Sequence, residues 1–493
     1  KLLHAIGCLI LLSVFSCQKE ETTAAKEHQK PNILFIFTDD QRADALGVAG
    51  NPNLKTPNID ALARSGTRFT NAYVMGGNHG AICAASRAML MSGKGLFKVL
   101  DKLDGEFTMP MHFAEAGYST FGTGKWHNEK SAFEKSFQHA ENVYLGGMAN
   151  HYSISLRDMT EGDTLSAPEE KGYSTDLFAD AAKNFINTHV QSGNENPFFA
   201  YVSFTVPHDP YSPREDFIDR YSPEEITLPE NFLPLHPFQF DQLNIRENLL
   251  AWPRDPEKVK MALADYYALI THLDQKVGEL IQLLKDQGLY DNTIIVYAAD
   301  NGLAIGSHGL LGKQNMYEHS TKVPMIFSGP GIPKDTENQS FTYLFDIFPT
   351  LVELAGLEQP QDIDGKRLTS TMNNPEQNPR AHIFTAYRHT VRAIRDEEWK
   401  LIRYPERDFT QLFHLKEDPF EQNNLAEQPE YSNRIQELKE IMQNEQMVAG
   451  DTVAWTAETI LPLQYDHTKI ERKIDRWQPE YTRQKYFYDI EEK

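Results

Sequence analysis

The chain has 493 residues, with 70 acidic side chains against 48 Lys and Arg, a formal charge of −22 at pH 7. That balance excludes general nucleic-acid binding, which needs a basic footprint, and any anion site must be assembled from local cations. A single core stops growing below this length, so two domains are expected.

The N-terminus reads as an export signal. Lys1 precedes the apolar run Leu2–Phe15, too short to span a bilayer comfortably and bounded by Ser16 and Cys17. Val14-Phe15-Ser16-Cys17 resembles a bacterial lipobox. On that resemblance, residues 1–17 are a lipoprotein signal peptide, Cys17 carries the lipid, and 18–30 form a polar tether. A plain cleaved signal peptide is the alternative. The implied location is the periplasm or the cell surface, touching a membrane only through the N-terminal lipid. No other stretch is apolar and long enough for a transmembrane helix. Of the three cysteines, Cys8 leaves with the signal and Cys17 carries lipid, so Cys83 remains without a disulfide partner. Such a cysteine has either a chemical role or a place as a small buried hydrophobe.

In chain order, Pro31–Asp40 opens as a continuous apolar run, as in a parallel strand buried on both faces. It ends on Asp39-Asp40, at the edge where open α/β sheets bind ligands. A helix is expected over Thr56–Ser65, with Pro57 at its start and Gly66 after it. The segment around Cys83 reads as a short helix closed by Gly93, with Arg87 one turn beyond Cys83 on the same face. Helix dipole and Arg87 would both favour negative charge at position 83, as for an activated thiolate or an anion site. Further strands are expected at Phe198–Val206, Thr293–Ala299 and, shorter, Pro324–Ser328. Leu269, Leu273, Val277, Leu280 and Leu284 recur at helical spacing before Gly288. Strands alternating with helices predict a doubly wound, mostly parallel α/β domain over 31–375. Pro360–Pro379 is polar and linker-like. A smaller C-terminal α+β domain is expected over 376–493, with strands at His382–Ala386 and Val391–Tyr404, a helix at Ser432–Met447, and a wrapping tail from Trp455.

Cys83-Ala84-Ala85-Ser86-Arg87 resembles the Cys-x-Ala/Pro-x-Arg signature of formylglycine-dependent type I sulfatases, arylsulfatase-like members of the alkaline phosphatase superfamily. Ala85 stands where Pro is commoner. The other family segments follow along the chain: Asp39-Asp40, Gly122-Thr123-Gly124-Lys125-Trp126-His127, Pro207-His208-Asp209, Asp300-Asn301-Gly302 and Gly309-Leu310-Leu311-Gly312-Lys313. Alone, each has an ordinary reading: a cap, a turn, a phosphate loop lacking Walker spacing, a solvated lysine.

The resemblance implies a sulfuric ester hydrolase with an alkaline-phosphatase-like fold. Cys83 would be oxidised to formylglycine by a maturation enzyme. Asp39, Asp40, Asp300, Asn301 and an oxygen at position 83 would hold a metal. Hard oxygen ligands select calcium or magnesium over zinc, and calcium is the family expectation. Lys125 and Lys313 would hold sulfate, His127 would act on the modified residue 83, His208 or Lys313 would protonate the leaving alcohol, and Arg87 would orient residue 83. The implied substrate is a sulfated polysaccharide or oligosaccharide, with algal ulvan or carrageenan preferred. His79, His151, Asp209, Tyr211, Arg214, Tyr387, Arg388 and His389 are candidates for sugar subsites, where Arg and His pair with uronate carboxylates. The competing readings are a phosphonate or phosphodiester hydrolase of the same superfamily, and a non-catalytic surface glycan-binding protein if Cys83 is not matured.

Overall fold

The computed structural model describes residues 29–240, 247–374 and 377–490. Cys17, the signal peptide and residues 18–28 of the tether lie outside the described residues. Among the described residues, no helix is long and apolar enough to cross a membrane.

The apolar run after Pro31 forms the strand Asn32–Thr38, buried throughout. It lies inside a nine-stranded sheet, flanked on both sides by parallel partners, Phe198–Ser203 and Thr293–Ala299. Ser119–Lys125 and His139–Tyr144 extend the parallel part beyond Phe198–Ser203. On the other side Lys322–Ser328 runs antiparallel to both Thr293–Ala299 and Gly66–Tyr73. The sheet is therefore mixed at that edge and parallel where the acidic strand ends lie.

Alternation along Asn32–Thr38 splits the core into two layers. Ile33, Phe35 and Phe37 pack with Met89, Phe113 and Phe348, whereas Leu34 and Ile36 pack with Ile59, Phe178 and Leu273. The second layer is carried by the helices Pro57–Arg64, Ser174–Gln191 and Pro256–Asp286, so helices cover both faces.

A second, five-stranded sheet runs in the order Phe409–His414, Trp399–Tyr404, Val391–Arg395, Ile383–Tyr387, Gly76–Gly77. Its last strand comes from the N-terminal part of the chain, six residues before Cys83, and pairs parallel with Ala386 and Tyr387. Gly76 is required there: a Cβ would meet the Ala386 carbonyl oxygen at 1.9 Å. The helix Ser432–Ala449 covers this sheet. The linker-like stretch is packed rather than free: it contains the helix Thr369–Asn373, and Asp364 accepts a hydrogen bond from the Gly95 amide. The tail ends on the helix Pro256–Asp286, where the buried Asp265 accepts from Tyr481, Lys485 and Tyr486.

Candidate active site

The parallel register sets the site. Thr38 pairs with Ala299, and Phe37 with Ser203, so the chain leaves these strands at one edge. There the Asp300 amide donates to the Thr38 carbonyl, and the Asp40 amide donates to Asp300 Oδ1 at 3.0 Å. Asn301 Nδ2 donates to Asp40 Oδ1 at 2.7 Å. Lys125 ends the next parallel strand, and its ammonium lies on Asp39. The preceding Gly124 sits at φ +85°, and a Cβ there would meet the Ser203 carbonyl oxygen at 1.8 Å. The Gly-x-Gly-Lys pattern thus serves close strand packing and not a phosphate loop.

Cys83 is the second residue of the helix Ile82–Ser92, which ends at Gly93 in the left-handed region. Its Sγ lies 2.6 Å from Lys313 Nζ and 3.7 Å from Asp40 Oδ1. Burial raises the thiol pKa by more than Lys125 and Lys313 lower it. The activated thiolate expected from helix dipole and Arg87 is therefore corrected: desolvation outweighs the nearby cations. Arg87 is fully buried and turned to other partners. It pairs with Asp300 Oδ2 through Nε (3.0 Å) and Nη2 (2.9 Å), while Nη1 donates to the Lys125 carbonyl at 2.7 Å and to Ser203 Oγ at 2.6 Å. One guanidinium thus ties together three strand ends and the helix Ile82–Ser92.

Two histidines are pushed in opposite directions. Burial opposes charge on His208, yet Asp40, Asp39 and Asp209 outweigh it and hold the imidazole well above its usual range. Its Nε2 lies 3.5 Å from Asp40 Oδ2. Burial, then Lys125 and Arg87, hold His127 well below the usual range. Lys313 contacts Asp40 through its ammonium; burial opposes its charge, but Asp40 raises its pKa.

The donor set fits a hard cation. Asp39 Oδ1 and Asn301 Oδ1 are buried without a hydrogen-bond partner, an arrangement that is costly unless a ligand uses them. Donor atoms of Asp39, Asp40, Cys83 and His208 lie within 4.8 Å of one another. Asp300 accepts from Arg87 on one oxygen and from the Asp40 amide on the other, and each oxygen keeps a second lone pair for a cation.

The structure brings Asp39, Asp40, Cys83, Arg87, Lys125, His127, His208, Asp300, Asn301 and Lys313 together at this edge. The subsite candidates are scattered by comparison. His79 is half exposed beside the helix Ile82–Ser92, paired with Asp101, and Arg388 lies close by, donating its amide to the Gly77 carbonyl. Asp209 pairs with His208 at 3.1 Å. Arg214 is engaged by Asp176 and Asp216, and the exposed His389 pairs with Glu406. Three expectations are corrected by burial. Tyr211 packs edge-on against Tyr266, Tyr387 lies in the core of the second sheet, and His151 sits behind His208, its Nε2 on the His208 carbonyl and its Nδ1 on Ser174 and Thr205. None of the three presents a face to a polymer.

His151 belongs to a set of buried neutral imidazoles. Burial lowers His151 and His308 to about 4 and His236 to about 3. Unfolded, each would titrate near 6.5. Below pH ~6.5 the unfolded chain binds protons that the folded chain refuses, so each costs up to ~1.4 kcal/mol of stability per pH unit until its folded pKa is reached. The urea midpoint should fall steadily from pH 7 to pH 5; an unchanged midpoint would refute this account.

Sequence reading missed Gly147. A Cβ on it would lie 2.6 Å from His127 Nε2, so the glycine is the floor on which the imidazole rests. Its backbone is not left-handed, hence alanine is tolerated by the chain and displaces only the ring. Any activity that uses the His127 ring should fall roughly 10–100-fold in Gly147→Ala, with little change in melting temperature. Activity matching that of the unmutated chain would show that the ring does not act. The signal was a Gly-Gly pair after a strand, too common to single out.

A family model described as sulfatase matches residues 31–357, and one for the N-sulphoglucosamine sulphohydrolase C-terminal region matches 306–448. The chain is 29% identical to an ulvan-active sulfatase of Formosa agariphila, covering 91% of this chain and 88% of that one. It is 27% identical to an N-acetylglucosamine-6-O-sulfatase of Bacteroides thetaiotaomicron over 93% of each. Among solved structures, one of a protein in complex with its substrate D-glucosamine-2-N,6-O-disulfate superimposes with a TM-score of 0.73 at 23% identity, over 85% of this chain and 98% of that one. With the family segments gathered at one sheet edge and the match running through both sheets, the chain belongs to the sulfatase family, and is a sulfuric ester hydrolase.

Proposed function

We propose that this sulfatase removes sulfate from a sulfated polysaccharide or its oligosaccharides, using formylglycine made from Cys83 and calcium held by Asp39, Asp40, Asn301 and Asp300. The observation that carries the reading is the meeting of buried Lys125, Lys313 and His208 and the half-buried His127 around Cys83 and the orphaned oxygens of Asp39 and Asn301. When bound, calcium supplies fixed charge for the sulfate oxygens, and hydrated formylglycine supplies a hydroxyl nucleophile.

The chain's own groups do the rest. The ammoniums of Lys125 and Lys313 offer positive charge to the sulfuryl oxygens in a site shielded from water. His208, whose Nε2 lies 3.5 Å from Asp40 Oδ2, is placed to donate a proton to the departing alcohol oxygen. His127, held neutral, accepts a proton from the side chain at position 83. Arg87 touches none of the reacting atoms and keeps the strand ends and the nucleophile helix in register.

Two curated relatives act, by name, on ulvan and on N-acetylglucosamine 6-sulfate, which supports a saccharide substrate. His79, whose partner Asp101 raises its pKa, and the neighbouring Arg388 place positive charge beside the nucleophile helix, suited to uronate carboxylates. Ulvan fragments are therefore the first substrate to test. Export with a lipid on Cys17 fits such a substrate and is checked by palmitate labelling of the unmutated chain and of Cys17→Ala. Released sulfate should be measured from ulvan oligosaccharides, alongside matched sulfate and phosphate esters of one alcohol. Faster cleavage of the phosphate ester would move the assignment to a phosphohydrolase.

A further inference from the structure

Lys313 reaches Cys83 from a segment, 303–316, without helix or strand of its own. Glu247 holds it. This carboxylate is buried; its Oε2 accepts from the Leu311 amide at 2.7 Å and its Oε1 from the Gly312 amide at 2.8 Å. Those are the two peptides immediately before Lys313. Arg254, also buried, pairs with Glu247 Oε2 at 2.5 Å and donates to the Glu247 carbonyl at 3.0 Å, while its guanidinium lies 4.1 Å from the Trp252 ring centre. The turn 247–250 is thus closed on one side.

Its other side is held by the C-terminal tail. Arg472 donates to the carbonyls of Asn248 (2.8 Å) and Leu249 (2.6 Å) and pairs with Asp489. Tyr465 donates to the His236 carbonyl, the Gln239 amide donates to the Leu463 carbonyl, and His236 Nδ1 lies 2.9 Å from the His308 carbonyl. The tail therefore lies over both supports of the Lys313 segment. It also lies beyond both regions matched by family models, which end at residues 357 and 448.

We propose that the tail is a positioning element for the reaction: Arg472 fixes the 247–250 turn, Glu247 fixes the peptides of Leu311 and Gly312, and these fix the ammonium of Lys313 at residue 83. Glu247 and Arg472 are positioning residues and touch no reacting atom. The inference rests on the reading that Lys313 acts on the sulfate ester. An ammonium displaced by about 1 Å loses most of its effect on charge developing at the leaving oxygen, on the order of 100-fold in rate.

The test uses the full chain with Glu247→Gln, Arg472→Ala and Arg472→Lys, each alone and combined with Lys313→Ala. The readouts are kcat on aryl sulfates of differing leaving-group basicity and hydrogen exchange of the Leu311 and Gly312 amides. Glu247→Gln should lower kcat roughly 10–100-fold and Arg472→Ala several-fold, more for basic leaving groups, with faster exchange at both amides and partial rescue by Arg472→Lys. On the Lys313→Ala background neither should lower kcat further. Equal fold-losses on both backgrounds, or unchanged exchange at 311 and 312, overturn the proposal. If Glu247→Gln does not fold, the Arg472 pair decides by the same criteria. Undiminished turnover in Lys313→Ala itself would remove the reading of Lys313, and this proposal with it, while leaving the sulfatase assignment in place.

Discussion

Cys83→Ala should abolish sulfate-ester hydrolysis and leave the fold intact. Cys83 is buried at the second position of its helix, its Sγ touching the Lys313 ammonium. Truncating one buried sulfur costs ~1 kcal/mol, small beside the stability of a chain with this much buried apolar surface. The effect on turnover is large because the proposed nucleophile is made from Cys83, the free cysteine beside Lys313 and Asp40. An unmodified thiol also lacks the second hydroxyl through which a hydrated aldehyde releases sulfate. Material in which position 83 remains cysteine should therefore be nearly inactive. Mass spectrometry of the peptide around position 83, from protein made in its native host, should show CH2SH exchanged for CHO, in proportion to specific activity. Full activity in Cys83→Ala, or in protein shown to carry only cysteine, would sink the nucleophile assignment.

Chelation should remove most of the activity and lower the melting temperature, with calcium restoring both. The basis is the pair of buried oxygens without partners, Asp39 Oδ1 and Asn301 Oδ1, in a cluster that also holds Asp40 and Asp300. A cation bound to the folded chain alone stabilises it by ~4 kcal/mol when present at a thousand times its dissociation constant, so its removal should be visible as unfolding at lower temperature. Asn301→Ala should weaken calcium binding while sparing the Arg87–Asp300 pair. Arg87→Ala should instead destabilise by ~3–5 kcal/mol, since it strands a buried carboxylate. A chelated enzyme that retains activity with no metal found by elemental analysis would refute the carboxylate cluster as a metal site.

Much of the framework was legible. Pro57 and Gly66 bracket the helix Pro57–Arg64, and the continuous apolar runs at Asn32–Thr38 and Thr293–Ala299 are parallel strands. These features are local: a cap, a breaker or a period of two or 3.6 acts within a few residues. The inner strand Lys322–Ser328 was legible as a strand but not in direction, because its antiparallel pairing is set by Thr293–Ala299 on one side and by Gly66–Tyr73, far away in the chain, on the other. The subsite candidates fared worst. Chain position next to a motif says nothing about which way a side chain faces, and His151, Tyr211 and Tyr387 turn inward.

By itself, the sequence determined the chemistry available: carboxylates at two strand ends, Cys83 in the first turn of a short helix, and two lysines and two histidines in spaced segments. Residue types and local spacing carry that information, and the helix Ile82–Ser92 with its left-handed Gly93 follows from them. Only the tertiary structure decided what these groups are. It closed Arg87 on Asp300, 213 positions away, and raised the Cys83 thiol by burial against its cations. It also set His127 on Gly147 and held the Lys313 segment through Glu247 beneath the tail. Desolvation and pairing depend on which distant groups share a buried volume, and only strand register and core packing specify that.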